Sequence, residues 1–321
     1  MKSLPDRLGA LVEIERLANV VAARGGNVEV LANVGELPIH AFSFGTDARD
    51  RPALLVTGGV HGLERIGTDV AIAYLVALVA RLAWDELLHA ALERCRVIVV
   101  PLLNPVGMTR GTRANGNGVD LMRNAPAAAL GGTPLLGGHR ISRFLPWFMG
   151  RDGAAMEPES AALVELARRE LFASPFAIAL DLHSGFGMRD RLWYPYARTR
   201  EPLPDLPAII ALDELLDASL PNHVYLVEQT ARVYTIRGDL WDYLYDRRRE
   251  IGGGVLLPLT LEMGSWAWVR KNPWQGLSSI GRFNPIKPHR LSRTLRRHLP
   301  LIDFLHHAAA SHRTWSPRER V

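Results

Sequence analysis

The sequence predicts an α/β fold: a mixed, largely parallel, twisted sheet with helices on both faces. Three observations carry this expectation. Short apolar runs recur along the chain, each closed by glycine, proline or a polar turn, as strands buried on both faces read. Longer amphipathic or apolar segments alternate with them. A composition of 48 % hydrophobic and 22 % charged residues is enough to fill a core of that kind.

Taken in order, residues 4 to 23 read as an amphipathic helix ended by Gly25 and Gly26. Residues 27 to 32 and 39 to 45 read as strands. The run 53 to 57 is a buried strand that stops at Gly58 and Gly59, and 67 to 82 is a mostly apolar helix. Residues 96 to 103 form another buried strand, closed by Asn104 and Pro105. A helix begins at Glu157, Pro158 and Glu159, since a proline and acidic groups suit a first turn, and runs to about 171. A strand at 176 to 182 follows, then helices at 205 to 220 and 238 to 249. A last buried strand covers 255 to 261 and a last helix 288 to 307. The long loops 104 to 156 and 263 to 287 are where function is expected. With no repeat and no linker, the chain reads as one catalytic domain over 1 to 307 and a basic tail over 308 to 321.

The single cysteine, Cys95, excludes an internal disulfide and reads as a small buried core residue. Charges from Asp6 to Arg16 break up the first residues, so no signal peptide is expected. No stretch reaches 18 apolar residues without charge, and the longest candidate, 70 to 83, is too short and reads as a buried helix, so no membrane span is expected. The location expected from this is the cytoplasm. Net charge is +5, nearly all from arginine, with clusters at 247 to 249 and 290 to 297. These clusters lack interleaved aromatic residues, so they read as solvated helix faces and no nucleic-acid partner is expected.

The chemistry lies at strand ends. His61 and Glu64 follow the first buried strand at once, and a histidine and a glutamate three apart on a turn can both reach one cation. His183 ends the strand at 176 to 182, pointing into the crevice where α/β ligand sites form. Two imidazoles and a carboxylate make a catalytic zinc set with a position left for substrate. Asp181 lies on the same strand face as His183 and reads as its supporting carboxylate. Glu262 ends the last strand, where a general base beside an activated water would stand.

Four blocks carry a resemblance. HGLE, GTRANGNGVDLMRN, DLHSG and TLEMG, in this order and spacing, resemble the zinc carboxypeptidase family typified by carboxypeptidase A, including its aspartoacylase and succinylglutamate desuccinylase branch. The likeness covers about 50 to 270. It implies the family's fold, one zinc per chain and hydrolysis of an amide in a small peptide or an N-acyl amino acid. It further implies His61, Glu64 and His183 as zinc ligands and Glu262 as the catalytic glutamate. Arg110 matches the arginine that polarises the scissile carbonyl, and Arg123 the one that binds the substrate carboxylate. Asp120 matches the aspartate behind the first histidine, and Tyr234 the mobile tyrosine. The family pairs Asn with Arg at the carboxylate clamp, whereas this chain has Met122 before Arg123, one donor fewer. Arg113 or Arg237 is a candidate substitute, and Asp239 or Leu240 a candidate pocket residue. The leading expectation is a metallo-carboxypeptidase. An N-acyl amino acid deacylase and an inactive ligand-binding protein on the same scaffold are the rivals.

Overall fold

The computed structural model describes residues 9–126 and 133–317. Its eight strands are β1 (Asn27–Val34), β2 (Leu37–Phe44), β3 (Ala53–Gly58), β4 (Arg96–Val100), β5 (Phe176–Ser184), β6 (Arg191–Tyr194), β7 (Leu226–Gln229) and β8 (Val255–Met263). They form one mixed sheet in the order β1-β2-β4-β3-β5-β8-β6-β7. The four central strands β4, β3, β5 and β8 are parallel, while β2 joins β4, and β6 joins β8, antiparallel. The expected fold class is therefore the observed one.

The alternation of side chains along these strands builds two cores. Leu54, Val56, Val97, Val99, Ile178, Leu180, Leu257 and Leu259 face one side, packed with the helices Gly9–Ala23, Arg65–Arg81, Leu206–Ser219 and Pro288–Ala310. Ala53, Leu55, Ile98, Val100, Ala177, Ala179 and Leu256 face the other, under the helices Pro158–Leu171 and Leu240–Ile251. Each fully buried leucine or isoleucine contributes about 1.5–3 kcal/mol, so the central strands are the most firmly held part of the molecule. Their C-terminal ends, with β3, β5 and β8 side by side, form the rim on which the site stands.

Several boundaries differ from the expectation. Strands β6 and β7 and the helix Glu86–Arg94 are additional. The first helix is described from Gly9, and its expected start at residue 4 lies outside the described residues. The two long loops contain short helices at Pro105–Arg110, Leu121–Arg123, Trp266–Lys271, Pro273–Leu277 and Ser279–Phe283. The last long helix runs to Ala310 with Ala308 and Ala309 buried, and the Trp315 ring meets Phe176 edge-on. The stretch read as a tail from 308 is thus packed on the domain over this part, because its apolar side chains complete the first core. Residues 318 to 321 lie outside the described residues. No single helix among the described residues is long and apolar enough to cross a membrane.

Candidate active site

The site begins where β3 stops. His61 and Glu64 sit in a tight turn, closed by the Glu64 N–H donating to the His61 carbonyl at 3.0 Å. Two asparagines brace this turn. Asn104 donates to the Val60 carbonyl at 3.2 Å, and Asn284 donates to Leu63 and accepts from the Ile66 N–H at 2.8 and 2.9 Å. Gly62 is needed here, since a Cβ would lie 2.0 Å from the carbonyl carbon of Gly107.

On β5, His183 is the register partner of Glu262 on β8, so the two strands deliver an imidazole and a carboxylate side by side. His61, Glu64 and His183 are all buried, and each offers one ligand atom within 4.8 Å of the others. The His61 and His183 rings meet edge-on with centroids 4.9 Å apart. Glu64 is held in place by the Ser184 N–H, which donates to its Oε2 at 2.9 Å.

Carboxylates stand behind both imidazoles. Asp181 Oδ2 lies 2.8 Å from His183 Nε2 and accepts a hydrogen bond from the Trp241 indole at 2.9 Å. Asp120 Oδ1 is 3.9 Å from His61 Nδ1. His61 Nδ1, His183 Nε2, Asp120 Oδ1 and Asp181 Oδ1 are all buried with no aligned hydrogen-bond partner. His183 Nε2 still faces Asp181 Oδ2 at 2.8 Å, while the other three are orphaned, which is costly, and all belong to the imidazole–carboxylate pairs of the ligand set. Two imidazoles, each backed by an acidic group, and one carboxylate suit a zinc-type cation.

The arginines divide differently from the expectation. Arg113 reaches the cluster: its Nε donates to Asp120 Oδ2 at 2.9 Å, one Nη to Glu64 Oε1 at 3.1 Å, and the other meets His61 Nε2 at 2.7 Å. Arg110, the residue matched to the carbonyl-polarising arginine, is exposed, donates to the Gly116 carbonyl at 2.9 Å and does not line the cavity. The cause is local. The helix Pro105–Arg110 ends at Gly111 in the left-handed conformation (φ 64°), and the chain turns before Arg113. The structure therefore gives the position beside the metal ligands to Arg113, correcting the reading of Arg110.

Arg123 is buried in the cavity wall, with one Nη donating to Asp120 Oδ2 at 3.0 Å, the other to the Leu136 carbonyl at 3.0 Å, and its Nε unpartnered. Met122 lines the cavity beside it, and Arg237 does not. Tyr234 and Asp239 also line the cavity, whereas Leu240 packs into the second core. Asp239 accepts from the Trp241 and Asp242 N–H groups at 3.0 and 2.9 Å, capping the helix that begins at Leu240. The cavity itself is about 750 Å³, large enough for a dipeptide-sized ligand.

Charge sorts the acids and bases. Burial, helped by Arg113, pushes His61 down to about 3, so it stays neutral with a lone pair available. His183 is pushed the other way: burial opposes its charge, but Asp181 and Glu64 overcome this and raise it well above the ordinary value. Burial also opposes the charge on Glu64, yet His61, His183 and Arg113 hold it below the carboxylate range. Glu262 is pushed up to about 8 by burial and then by the nearby Glu64 charge. Two neighbouring carboxylates driven apart in this way are suited to different roles, one ligating and one carrying protons. Tyr234 is held above its ordinary value by burial first, so its phenol remains a hydrogen-bond donor beside Arg113, Arg123 and Glu262.

Trp241, Phe186, Trp193 and Phe283 complete the cavity and were not singled out in the sequence. Trp241 contacts Asp181 across 60 positions, and no local pattern announces such a contact.

Comparison with known proteins agrees with this geometry. The zinc carboxypeptidase (peptidase M14) family profile matches residues 27–265. Carboxypeptidase SOL1 of Arabidopsis thaliana is 25 % identical over 249 residues, covering 73 % of this chain; the chain spans 43 % of that relative's length. Among solved structures, carboxypeptidase A from Helicoverpa armigera superposes with a TM-score of 0.69 at 19 % identity, covering 92 % of this chain and 71 % of that one. A metallo-carboxypeptidase from Burkholderia cenocepacia gives 0.58 at 16 % identity, covering 91 % and 68 %. These structures are alike in fold, and the profile spans most of the sequence, including every residue of the cluster. The chain belongs to the zinc carboxypeptidase family.

Proposed function

We propose that this protein is a zinc-dependent amide hydrolase that acts as a metallo-carboxypeptidase on small peptides. The observation that carries the proposal is the grouping of His61, Glu64 and His183 with Glu262, Arg113 and Arg123 in one cavity. His61, Glu64 and His183 would hold the zinc, which supplies Lewis acidity to the scissile carbonyl and to water. Glu262, held beside His183 by strand register, takes a proton from the attacking water and returns it to the leaving amine. Arg113 presents its fork to the carbonyl oxygen as charge develops there. Arg123 offers its remaining N–H groups to the substrate carboxylate. Tyr234, with its phenol protonated, donates a hydrogen bond from the cavity wall.

One observation favours a second reading. Met122 stands in the cavity wall without a donor, and both Nη groups of Arg123 are already engaged. Such a clamp is also compatible with an N-acyl amino acid deacylase using the same zinc and Glu262. A panel of blocked dipeptides with free C-termini, their amidated forms and N-acyl amino acids, run with zinc restored, separates the two. Turnover of free but not amidated dipeptides is expected. Turnover confined to N-acyl amino acids would replace the first reading, and metal binding without any turnover would reject both.

A further inference from the structure

Between Met263 and Ile302 the chain holds eight of its 38 basic residues and none of its 33 acidic ones. The net charge is +5 overall, so the rest of the molecule is net acidic and the positive excess is concentrated in this one stretch. It comprises the short helices Trp266–Lys271, Pro273–Leu277 and Ser279–Phe283 and the start of the long helix Pro288–Ala310. Among the described residues, Arg270, Lys271, Arg282, Lys287, Arg293 and Arg296 form no ion pair, while Arg297 is paired with Asp190 at 2.7 Å. The first turn of the long helix has no acidic residue, and Lys287 and Arg290 there oppose its macrodipole. The charge therefore does not serve the helix that carries it.

Two large apolar side chains stand amid this charge. Trp274 is 80 % exposed and Leu277 77 %. Both belong to the 3-10 helix Pro273–Leu277, in which residues three apart eclipse one another, so they project from one side. Gln275, between them, is buried and donates to the Gly281 and Asn284 carbonyls at 2.8 and 3.3 Å. Gly281 permits this packing, since a Cβ there would lie 2.2 Å from the Gln275 carbonyl oxygen. Guanidinium groups tie the turn to its neighbours. Arg282 Nε donates to the Gly276 carbonyl at 2.8 Å, and Arg290 donates to the Trp268 and Lys271 carbonyls at 3.0 and 3.3 Å. An indole and a leucine are thus held outward on a braced turn with cations fastened around its base.

We propose that Trp274 and Leu277, with the basic residues around them, form a docking surface for an anionic lipid bilayer. The cations complement the headgroups, and the two apolar side chains enter the bilayer interface, where tryptophan is favoured. Nucleic acid would complement the charge equally, but its phosphate backbone gives a leucine nothing to pack against. Ile286, 49 % exposed beside Lys287, adds a second aliphatic group that favours lipid. No membrane span is required, because such a surface lies on the bilayer. Arg282 also lines the cavity, so docking brings the cavity wall beside the lipid.

The test is co-sedimentation of the full chain with vesicles of phosphatidylcholine, alone or mixed with phosphatidylglycerol, at about 0.1 M salt. Wild type is expected to bind the mixed vesicles at least ~10-fold more tightly than the neutral ones. Lys271→Gln combined with Lys287→Gln should weaken that binding about 20-fold, from roughly fivefold per basic residue. Arg247→Gln combined with Arg249→Gln removes the same charge from the helix Leu240–Ile251 and should change binding less than about twofold. Trp274→Ala combined with Leu277→Ala should weaken it about tenfold at unchanged net charge. All six positions are exposed and none lines the cavity, so the variants keep the fold, as circular dichroism checks, and the outcome is separate from that of the amide panel. Equal binding to both kinds of vesicle, equal losses from the two charge pairs, or no loss from the apolar pair would overturn the proposal. A duplex DNA oligonucleotide is run at the same salt. Tighter binding to it than to the mixed vesicles, lost on changing Lys271 and Lys287, would assign the surface to nucleic acid and overturn the lipid proposal.

Discussion

Arg113 and Arg110 are three residues apart, and the account gives them opposite roles. Arg113 is largely buried and contacts Asp120, Glu64 and His61 at 2.9, 3.1 and 2.7 Å. Arg110 is exposed and makes one bond to a backbone carbonyl. Removing a fixed donor aimed at a developing oxyanion costs about 3 kcal/mol, which is on the order of 10²-fold in kcat. Arg113→Ala should therefore lose at least ~10²-fold in kcat with metal content unchanged, since His61, Glu64 and His183 all remain. Arg113→Lys should recover little, because a lysine keeps the charge but cannot reproduce a three-way fork. Arg110→Ala removes one solvent-exposed hydrogen bond, a change within about 0.5 kcal/mol, and should stay within about twofold of wild type. The assay is steady-state turnover of a blocked dipeptide by zinc-loaded enzyme, with metal content measured on the same samples. Near-normal kcat in Arg113→Ala, or a hundredfold loss in Arg110→Ala, would refute the assignment.

Glu262→Gln should keep both fold and metal while kcat falls at least ~100-fold, as for loss of a general base; near-full kcat would move the base elsewhere, Asp181 or Glu228 being the alternatives. Met122→Asn adds a donor beside Arg123 and should lower KM for free C-terminal substrates but not for amidated ones, and an equal effect on both would deny a carboxylate clamp. Stability should depend on pH through two buried histidines. Burial pushes both His298 and His306 down to about 4, so below about pH 6.5 the unfolded chain takes up protons that the folded chain does not. Stability from each is complete above about pH 6.5 and is lost as pH falls toward 4, on the order of 3 kcal/mol per group. His306→Gln should show a smaller drop in urea midpoint between pH 7 and pH 4 than wild type, and an equal drop would contradict the assignment.

What the sequence disclosed follows the physics of burial. Strands β3, β4, β5 and β8 are wholly or almost wholly apolar because helices cover both faces, and that pattern is readable in one sequence. Strands β6 and β7 have four residues each and carry Arg191 and Glu228, so neither period nor length marks them. The helix Glu86–Arg94 did carry a signal: Asp85 caps it by accepting from the Leu88 N–H at 3.0 Å. In the site, His61, Glu64, His183 and Glu262 were legible because each stands where an apolar strand stops. The choice between Arg110 and Arg113 turned on Gly111, whose left-handed conformation ends a helix too short to show periodicity. Phe186, Trp193 and Trp241 acquire their roles only through contacts between distant segments, and local pattern carries no trace of those.

The central claim is that His61, Glu64 and His183 form one zinc site that serves the chemistry. It is tested most directly by metal titration of chelator-treated protein, with turnover followed in the same samples. The account predicts one zinc per chain in wild type, with activity rising in proportion to metal and saturating at that ratio. It predicts neither metal nor activity at the same zinc concentration in His183→Ala. Stoichiometric zinc retained by His183→Ala would contradict it, as would wild-type turnover that does not follow zinc occupancy.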